Sequence, residues 1–336
     1  MSLRGAVIGM GSMGRNHLRL NAEIQGGSLV AAADPFPQSH SALKSFPGVN
    51  AYTDYREMIE KENLDYVAIA APTKFHCEMS CFAMEAGAHV LVEKPIASSL
   101  EEADQMIAVA QKTGRTLMVG HLERFNPAVV EAKRRIESGE IGHIFQLAAR
   151  RHSPFPARIT DVGVVLDIAV HDIDVMHFLT GQPVVRCYAE LQQRAHGTQE
   201  DMLTGLLRFK SSDELQGVVG LLDVHWMSPQ KVRQLTVTGM GGTYTVDYIN
   251  QDLYFHTNGT TETTWHEIAL FRGTSEGDMI RPHIVRREPL RVEYEAFIDS
   301  ITHGTKSPVS GEEGKAALKV ALDLVRSGEL NEVLTS

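Results

Sequence analysis

Through its first 120 residues the chain alternates short, almost unbroken apolar runs with longer segments whose apolar positions recur every three or four residues. The runs are RGAVIG (4–9), SLVAAAD (28–34), DYVAIAAP (65–72), HVLVEKP (89–95) and TLMVGH (116–121). Runs without polar alternation are what strands require when a sheet is covered on both faces, and the intervening segments supply the cover. SMGRNHLRLNAEI, YTDYREMIEKEN, FHCEMSCFAMEAG and SLEEADQMIAVAQKTG read as helices, the last two stopped by glycine. Strand and helix in alternation predict a parallel sheet with crossover helices.

The texture changes after His121. NPAVVEAKRRIESGEIG and LDIAVHDIDVMH (166–177) read as helices, and from about Val184 strand-like runs follow: TGLLRFK, LQGVVGLLDVHW, RQLTVTGMGGTYTVDY and DLYFHT. Successive strands joined by turns predict a mainly antiparallel sheet, hence an α+β second domain. Helical periodicity returns in EYEAFIDSITHG and GEEGKAALKVALDLVRSG. At 336 residues the chain exceeds the size of one ordinary core. The expected division is therefore residues 1–121 and 122–336 of an α/β protein, with a last helix, about 311–330, packing back on the first domain.

Composition narrows the field. With 43% hydrophobic and 22% charged residues the chain reads as globular. A net charge of -10 argues against a nucleic-acid binder. No apolar run reaches the roughly 18 residues of a membrane span. The three cysteines, Cys77, Cys81 and Cys187, lack zinc-ribbon spacing, and reduced thiols in a cytoplasmic protein are expected. Cys77 and Cys81, four apart on a predicted helix, read as small buried apolar groups.

The first candidate chemistry lies in VIGMGSMG. Gly9, Gly11 and Gly14 form a G-x-G-x-x-G between a predicted strand and a helix; the turn, with Ser12 and Met13, would bring backbone N–H groups to a pyrophosphate. Asp34 closes the second strand 20 residues beyond Gly14, where an acid bonds the adenosine ribose diol and repels a 2′-phosphate. NAD is favoured over NADP. Lys94, in Glu93-Lys94-Pro95 after the fourth run, stands at a strand end where a lysine can stabilise a developing alkoxide. In LDIAVHDIDVMH, helical spacing would put Asp167, His171 and Asp174 on one face. His171 suits a general base, with Asp167 orienting its ring. The plainer reading for Asp172 and Asp174 is a solvated helix-face acid. A metal site is disfavoured because His171 and His177 diverge by about 240° around a helix, so no metal is expected.

Together VIGMGSMGRNH, AAADP, APTKFH, EAGAHVLVEKPIA and VVLDIAVHDID resemble the Gfo/Idh/MocA oxidoreductases, from residue 4 to PVSGEEGKAALKVALDLVRSG near the end. The resemblance implies a Rossmann domain, then a domain whose large open sheet makes contacts in a homodimer or homotetramer. It implies catalytic roles for Lys94, Asp167 and His171, Glu93 near the nicotinamide ribose, and Pro72, Thr73 and His76 of APTKFH at the cofactor. A finer likeness, in GHLERFNPAV, SPFPARITDVGVVLDIAVHDIDV and LTVTGMGGTYTVDYINQDL, is to the UDP-N-acetylglucosamine 3-dehydrogenase branch, which oxidises a sugar-nucleotide 3-hydroxyl ahead of an aminotransferase. On that likeness Arg124, Arg151 and Arg158 are candidates for the diphosphate and Asn126 for a sugar hydroxyl. Ala169 and the pair Val162-Gly163 depart from the glycines many family members carry there. The alternatives are a relative acting on another sugar nucleotide, a free sugar or inositol, and, in another class, a silent NAD-binding regulator.

Overall fold

The computed structural model describes residues 2–156, 162–195, 197–211, 217–259 and 275–335. It separates into two compact units, Met1–Phe125 with Glu288–Lys319, and Asn126–Arg287 with Val320–Ser336.

In the first unit the five apolar runs become β1 (Leu3–Ile8), β2 (Gly27–Ala33), β4 (Tyr66–Ile69), β5 (His89–Glu93) and β6 (Leu117–Gly120); β3 (Asn50–Tyr52) is added at the edge. All pairs are parallel, and the order β3-β2-β1-β4-β5-β6 is that of a dinucleotide-binding sheet. The strands read as unbroken runs because both their faces are covered: Ala6, Val7, Val67, Ala68, Val90 and Leu91 are all fully buried. The crossovers are α1 (Ser12–Glu23), α2 (Tyr55–Glu62), α3 (His76–Glu85) and α4 (Leu100–Thr113). Side chains start two of them: Asp54 accepts from Arg56 N and Ser99 from Glu102 N. Gly114, left-handed at φ 65°, ends α4.

On α3, Cys77 and Cys81 are buried and free. Burial is the main cause that pushes the Cys81 thiol up to about 12, which keeps it out of the nucleophilic thiolate form. Iodoacetamide at mildly alkaline pH is expected to leave Cys81 unmodified in the folded protein and to alkylate it after denaturation; peptide mass spectrometry makes the comparison.

The second unit begins with α5 (Pro127–Glu137) and β7 (Ile144–His152), continues through α6 (Val170–Thr180), and then lays down β8 (Val184–Gln192), β9 (Met202–Phe209), β10 (Val219–His225), β11 (Val232–Gly239), β12 (Gly242–Asp247), β13 (Asp252–Gly259) and β14 (Ser275–Ile280). With β15 (Leu334–Thr335) these form a nine-stranded sheet ordered β14-β13-β12-β11-β7-β10-β9-β8-β15. The sheet is mainly antiparallel, as the strand runs predict, except that β7 and β10 pair in parallel. β7 is absent from the sequence reading because FQLAARRH carries two arginines, and one of them, Arg151, is buried by an acid from another element.

The chain then supplies α7 (Pro289–His303) and α8 (Gly311–Leu330). The whole of α7, and α8 through Lys319, belong to the first unit, so residues 122–336 are not one continuous domain. The reason is the buried face of α7, where Tyr294 and Phe297 are fully buried, together with the ion pair of Arg291 with Glu23.

Candidate active site

The glycine turn opens directly onto the N-terminus of α1, where Gly11 is the cap and no side chain satisfies the first N–H groups. Gly9 has φ 91°, and a Cβ there would lie 2.5 Å from the Ala70 carbonyl oxygen; a Cβ on Gly14 would lie 1.9 Å from the Gly9 carbonyl oxygen. Both glycines are required by the protein's own packing. Gly11 differs, since a Cβ there meets nothing within 4 Å. The room above Gly11 is what a pyrophosphate needs to approach the backbone. The turn therefore fits NAD, whose diphosphate Gly9 to Gly14 would hold; Ser12 is exposed and Met13 half-buried beside it. A matched pair tests this. Gly9→Ala is expected to destabilise the fold by about 1–3 kcal/mol. Gly11→Ala should leave the melting temperature near wild type and weaken NAD binding roughly tenfold, read by fluorescence titration.

Asp34 ends β2 and is buried, with Oδ2 accepting from Met10 N at 2.7 Å and Oδ1 from Phe36 N at 2.9 Å. The acid thus ties the glycine turn to its own strand end, and each oxygen retains a second lone pair. Pro72 and Thr73 lie at the end of β4, in a 3-10 turn over Thr73–Phe75. His76, from the same motif, is buried: Nδ1 lies 2.9 Å from the Pro95 carbonyl and Nε2 2.9 Å from the Ala71 carbonyl. Burial lowers its pKa, and a neutral ring can donate to just one of the two. His76 braces the loop after β4 against the loop after β5.

That second loop carries Glu93, Lys94 and Pro95, with a cis bond between Lys94 and Pro95. Glu93 is buried; Oε1 lies 2.8 Å from His17 Nε2 and Oε2 accepts from Lys94 N at 3.2 Å. Burial acts to raise the Glu93 pKa, but the hydrogen bond and charge of His17, then the charge of Lys94, hold the carboxyl below its usual range. Lys94 itself is half-buried.

In the second unit the stretch around His171 is not a plain α-helix. Val165–Ala169 is a π turn that runs into α6. Its i→i+5 bonding makes a wider turn than the α-helical spacing of the sequence assumes. Asp167 and His171 are half-buried, whereas Asp174, expected on their face, is 1% exposed. Asp172 is equally buried, so neither acid is a solvated helix-face group. Glu200, which the sequence reading did not single out, fixes the start of the π turn. Its carbonyl accepts from Val164 N at 2.9 Å and its carboxylate from Val165 N at 3.1 Å, beside a Gly163 whose added Cβ would strike that carboxylate.

The candidate diphosphate ligands are placed otherwise. Arg151 is buried in a bidentate pair with Asp172, at 2.7 and 3.0 Å, and lies over the Tyr248 ring. Arg124, also buried, bonds Glu313 at 2.6 Å, within a capping box in which Ser310 N donates to Glu313 and Glu313 N to Ser310 Oγ. Asn126 is the N-cap of α5, accepting from Ala128 N, and its amide donates to the Tyr248 carbonyl. All three side chains thus have structural contacts within the protein. Arg158 lies outside the described residues.

Among the described residues, His152, Asp223 and His225 have the proximity a metal ion needs, with ligand-capable atoms within 4.8 Å of one another. Strand alternation puts them on the face of the sheet opposite Arg151. The His152 and His225 rings stack at 3.9 Å, and His225 Nδ1 accepts from Met227 N at 3.2 Å. That contact favours the tautomer protonated on Nε2, leaving neither nitrogen of His225 readily available to a cation.

The glycine turn, its open approach over Gly11 and the acid at the end of β2 make the first unit that of an NAD-dependent oxidoreductase. The chain belongs to the Gfo/Idh/MocA family. The model described as "Oxidoreductase family, NAD-binding Rossmann fold" matches residues 3–121, and that of the "GFO/IDH/MocA C-terminal domain" matches 129–245. Among known proteins it is similar to the myo-inositol 2-dehydrogenase of Thermotoga maritima, 28% identical over 99% of this chain and 100% of that one. It is equally similar to the UDP-N-acetylglucosamine 3-dehydrogenase of Acidithiobacillus ferrooxidans, 28% identical over 96% of each. A solved structure of the latter superposes with a TM-score of 0.84 at 25% identity, covering 98% of both chains. Among the described residues, no helix is long and apolar enough to cross a membrane.

Proposed function

We propose that the protein oxidises a secondary ring hydroxyl of a sugar nucleotide, the 3-hydroxyl of UDP-N-acetylglucosamine, to a ketone that a partner aminotransferase consumes. The observation that carries this reading is the position of Lys94. It follows β5 at the carboxyl end of the parallel sheet, the end at which the glycine turn follows β1 and at which open α/β sheets bind ligands. There its ammonium stabilises the oxygen as charge develops on it. His171 takes the hydroxyl proton, and Asp167 orients or shares its hydrogen-bond network. NAD, when bound, supplies the hydride acceptor. The likeness to the 3-dehydrogenase over nearly the whole of both chains supports the 3-keto product.

A second reading, a free cyclic polyol such as inositol, is favoured by the burial of Arg124 and Arg151 in internal ion pairs, which engage two candidate diphosphate ligands. It is also favoured by the full-length likeness to an inositol dehydrogenase. The protein is incubated with NAD and either UDP-N-acetylglucosamine or myo-inositol, and NADH formation is followed. NADH with the nucleotide sugar supports the first reading; NADH with inositol alone replaces it with the second. NAD binding without turnover of either, or of other sugars, points to a regulator.

A further inference from the structure

Behind Lys94, three buried polar side chains form a chain that the catalytic reading does not use. His17 on α1 is 1% exposed, with Nε2 2.8 Å from Glu93 Oε1 and Nδ1 2.8 Å from the hydroxyl of Tyr294 on α7, itself fully buried. Burial pushes the Tyr294 phenol well above its ordinary range, so it remains a hydroxyl able to donate. The Tyr294 hydroxyl engages Nδ1, and Nε2–H points at the Glu93 carboxylate. The second oxygen of that carboxylate accepts the main-chain N–H of Lys94. The order is Tyr294, His17, Glu93, Lys94, with each link at hydrogen-bond distance and the first three members shut off from water. Three polar groups in so apolar a place are costly unless each is satisfied by the next.

We propose that His17, held by Tyr294, is a positioning residue: it fixes Glu93 as an ionised brace on the Lys94 main chain and so sets the direction and charge surroundings of the Lys94 ammonium. The inference rests on the reading of Lys94 as the group that meets the substrate hydroxyl. His17 touches no substrate in this account. It acts through Glu93 as the aspartate of a hydrolytic triad acts through its histidine.

The test reads Lys94 directly, in the folded full-length protein and without substrate. The rate at which acetic anhydride acetylates Lys94 is measured by peptide mass spectrometry, with exposed Lys44 as the internal standard, in wild type, Tyr294→Phe, His17→Leu and His17→Gln. Loss of the brace removes an ionised neighbour and loosens the side chain. Lys94 is therefore expected to react roughly threefold faster or more in Tyr294→Phe and His17→Leu, with Lys44 unchanged. His17→Gln, which keeps an N–H for Glu93, should fall closer to wild type. Tyr294→Phe preserves volume and keeps the test decisive if His17→Leu fails to fold. Equal Lys94 reactivity in every folded variant overturns the proposal, and a rise shared by Lys44 does the same by marking general loosening. Once a substrate is in hand, the two brace variants should lower kcat with little change in KM. Lys94→Ala run alongside separates the two ideas. If it turns over normally, the role of Lys94 is wrong whatever the labelling shows; if it is inactive while labelling is uniform, only the brace fails.

Discussion

Lys94→Ala is expected to lower kcat by roughly 10²–10³-fold, the usual loss when one group that stabilises a developing oxyanion is removed. NAD affinity should stay close to wild type, because the turn that fits the diphosphate is built from Gly9 to Gly14 on the preceding part of the sheet. The combination matters more than either number. A fall in kcat with unchanged cofactor binding assigns Lys94 to the chemical step, while a parallel loss of NAD binding assigns it to the cofactor. Turnover within a factor of about two of wild type would remove Lys94 from the mechanism, and the position of a lysine after β5 would then carry no argument.

The second large effect is on stability. Arg151→Ala takes the guanidinium from a carboxylate, Asp172, that is 1% exposed and receives two of its bonds from that fork. Breaking a buried pair from one side costs about 3–5 kcal/mol, because the remaining charge is desolvated without its partner. Urea unfolding is the measurement, and a loss under about 1 kcal/mol would show that the pair is not what locks α6 to β7. Arg151→Met combined with Asp172→Leu should recover most of the loss, since apolar replacements of similar size leave no stranded charge. Asp172 follows His171 in the chain, so the single variant is expected to lose activity as well. If Arg151 instead gripped a substrate diphosphate, the variant would keep its stability and raise KM.

These two residues also mark what could and could not be read from the sequence. The parallel strands were legible because full cover on both faces leaves an unbroken apolar run, and Gly9, Gly11 and Gly14 because each answers a backbone need that is fixed by position. Edge strand β3, three residues and partly exposed, has no such signature. The internal partners of Arg151 and Arg124, the candidate diphosphate ligands, could not be read because they are far along the chain, 21 residues away for Asp172 and 189 for Glu313. Only the fold brings those acids into place. The capping role of Asn126 has its signal in the sequence: asparagine before proline is a helix cap followed by a first-turn proline. The π turn at Val165–Ala169 had no counterpart in periodicity, and neither did the burial of Asp174.

The first unit is assembled from two stretches separated by 162 positions, Met1–Phe125 and Glu288–Lys319. During vectorial synthesis the ribosome therefore delivers the nucleotide-binding sheet long before the helix bearing Tyr294. Until that helix emerges, His17 has no hydroxyl to meet and the back of α1 has lost its cover. Competence to use NAD productively should therefore appear only after the helix bearing Tyr294 has left the exit tunnel.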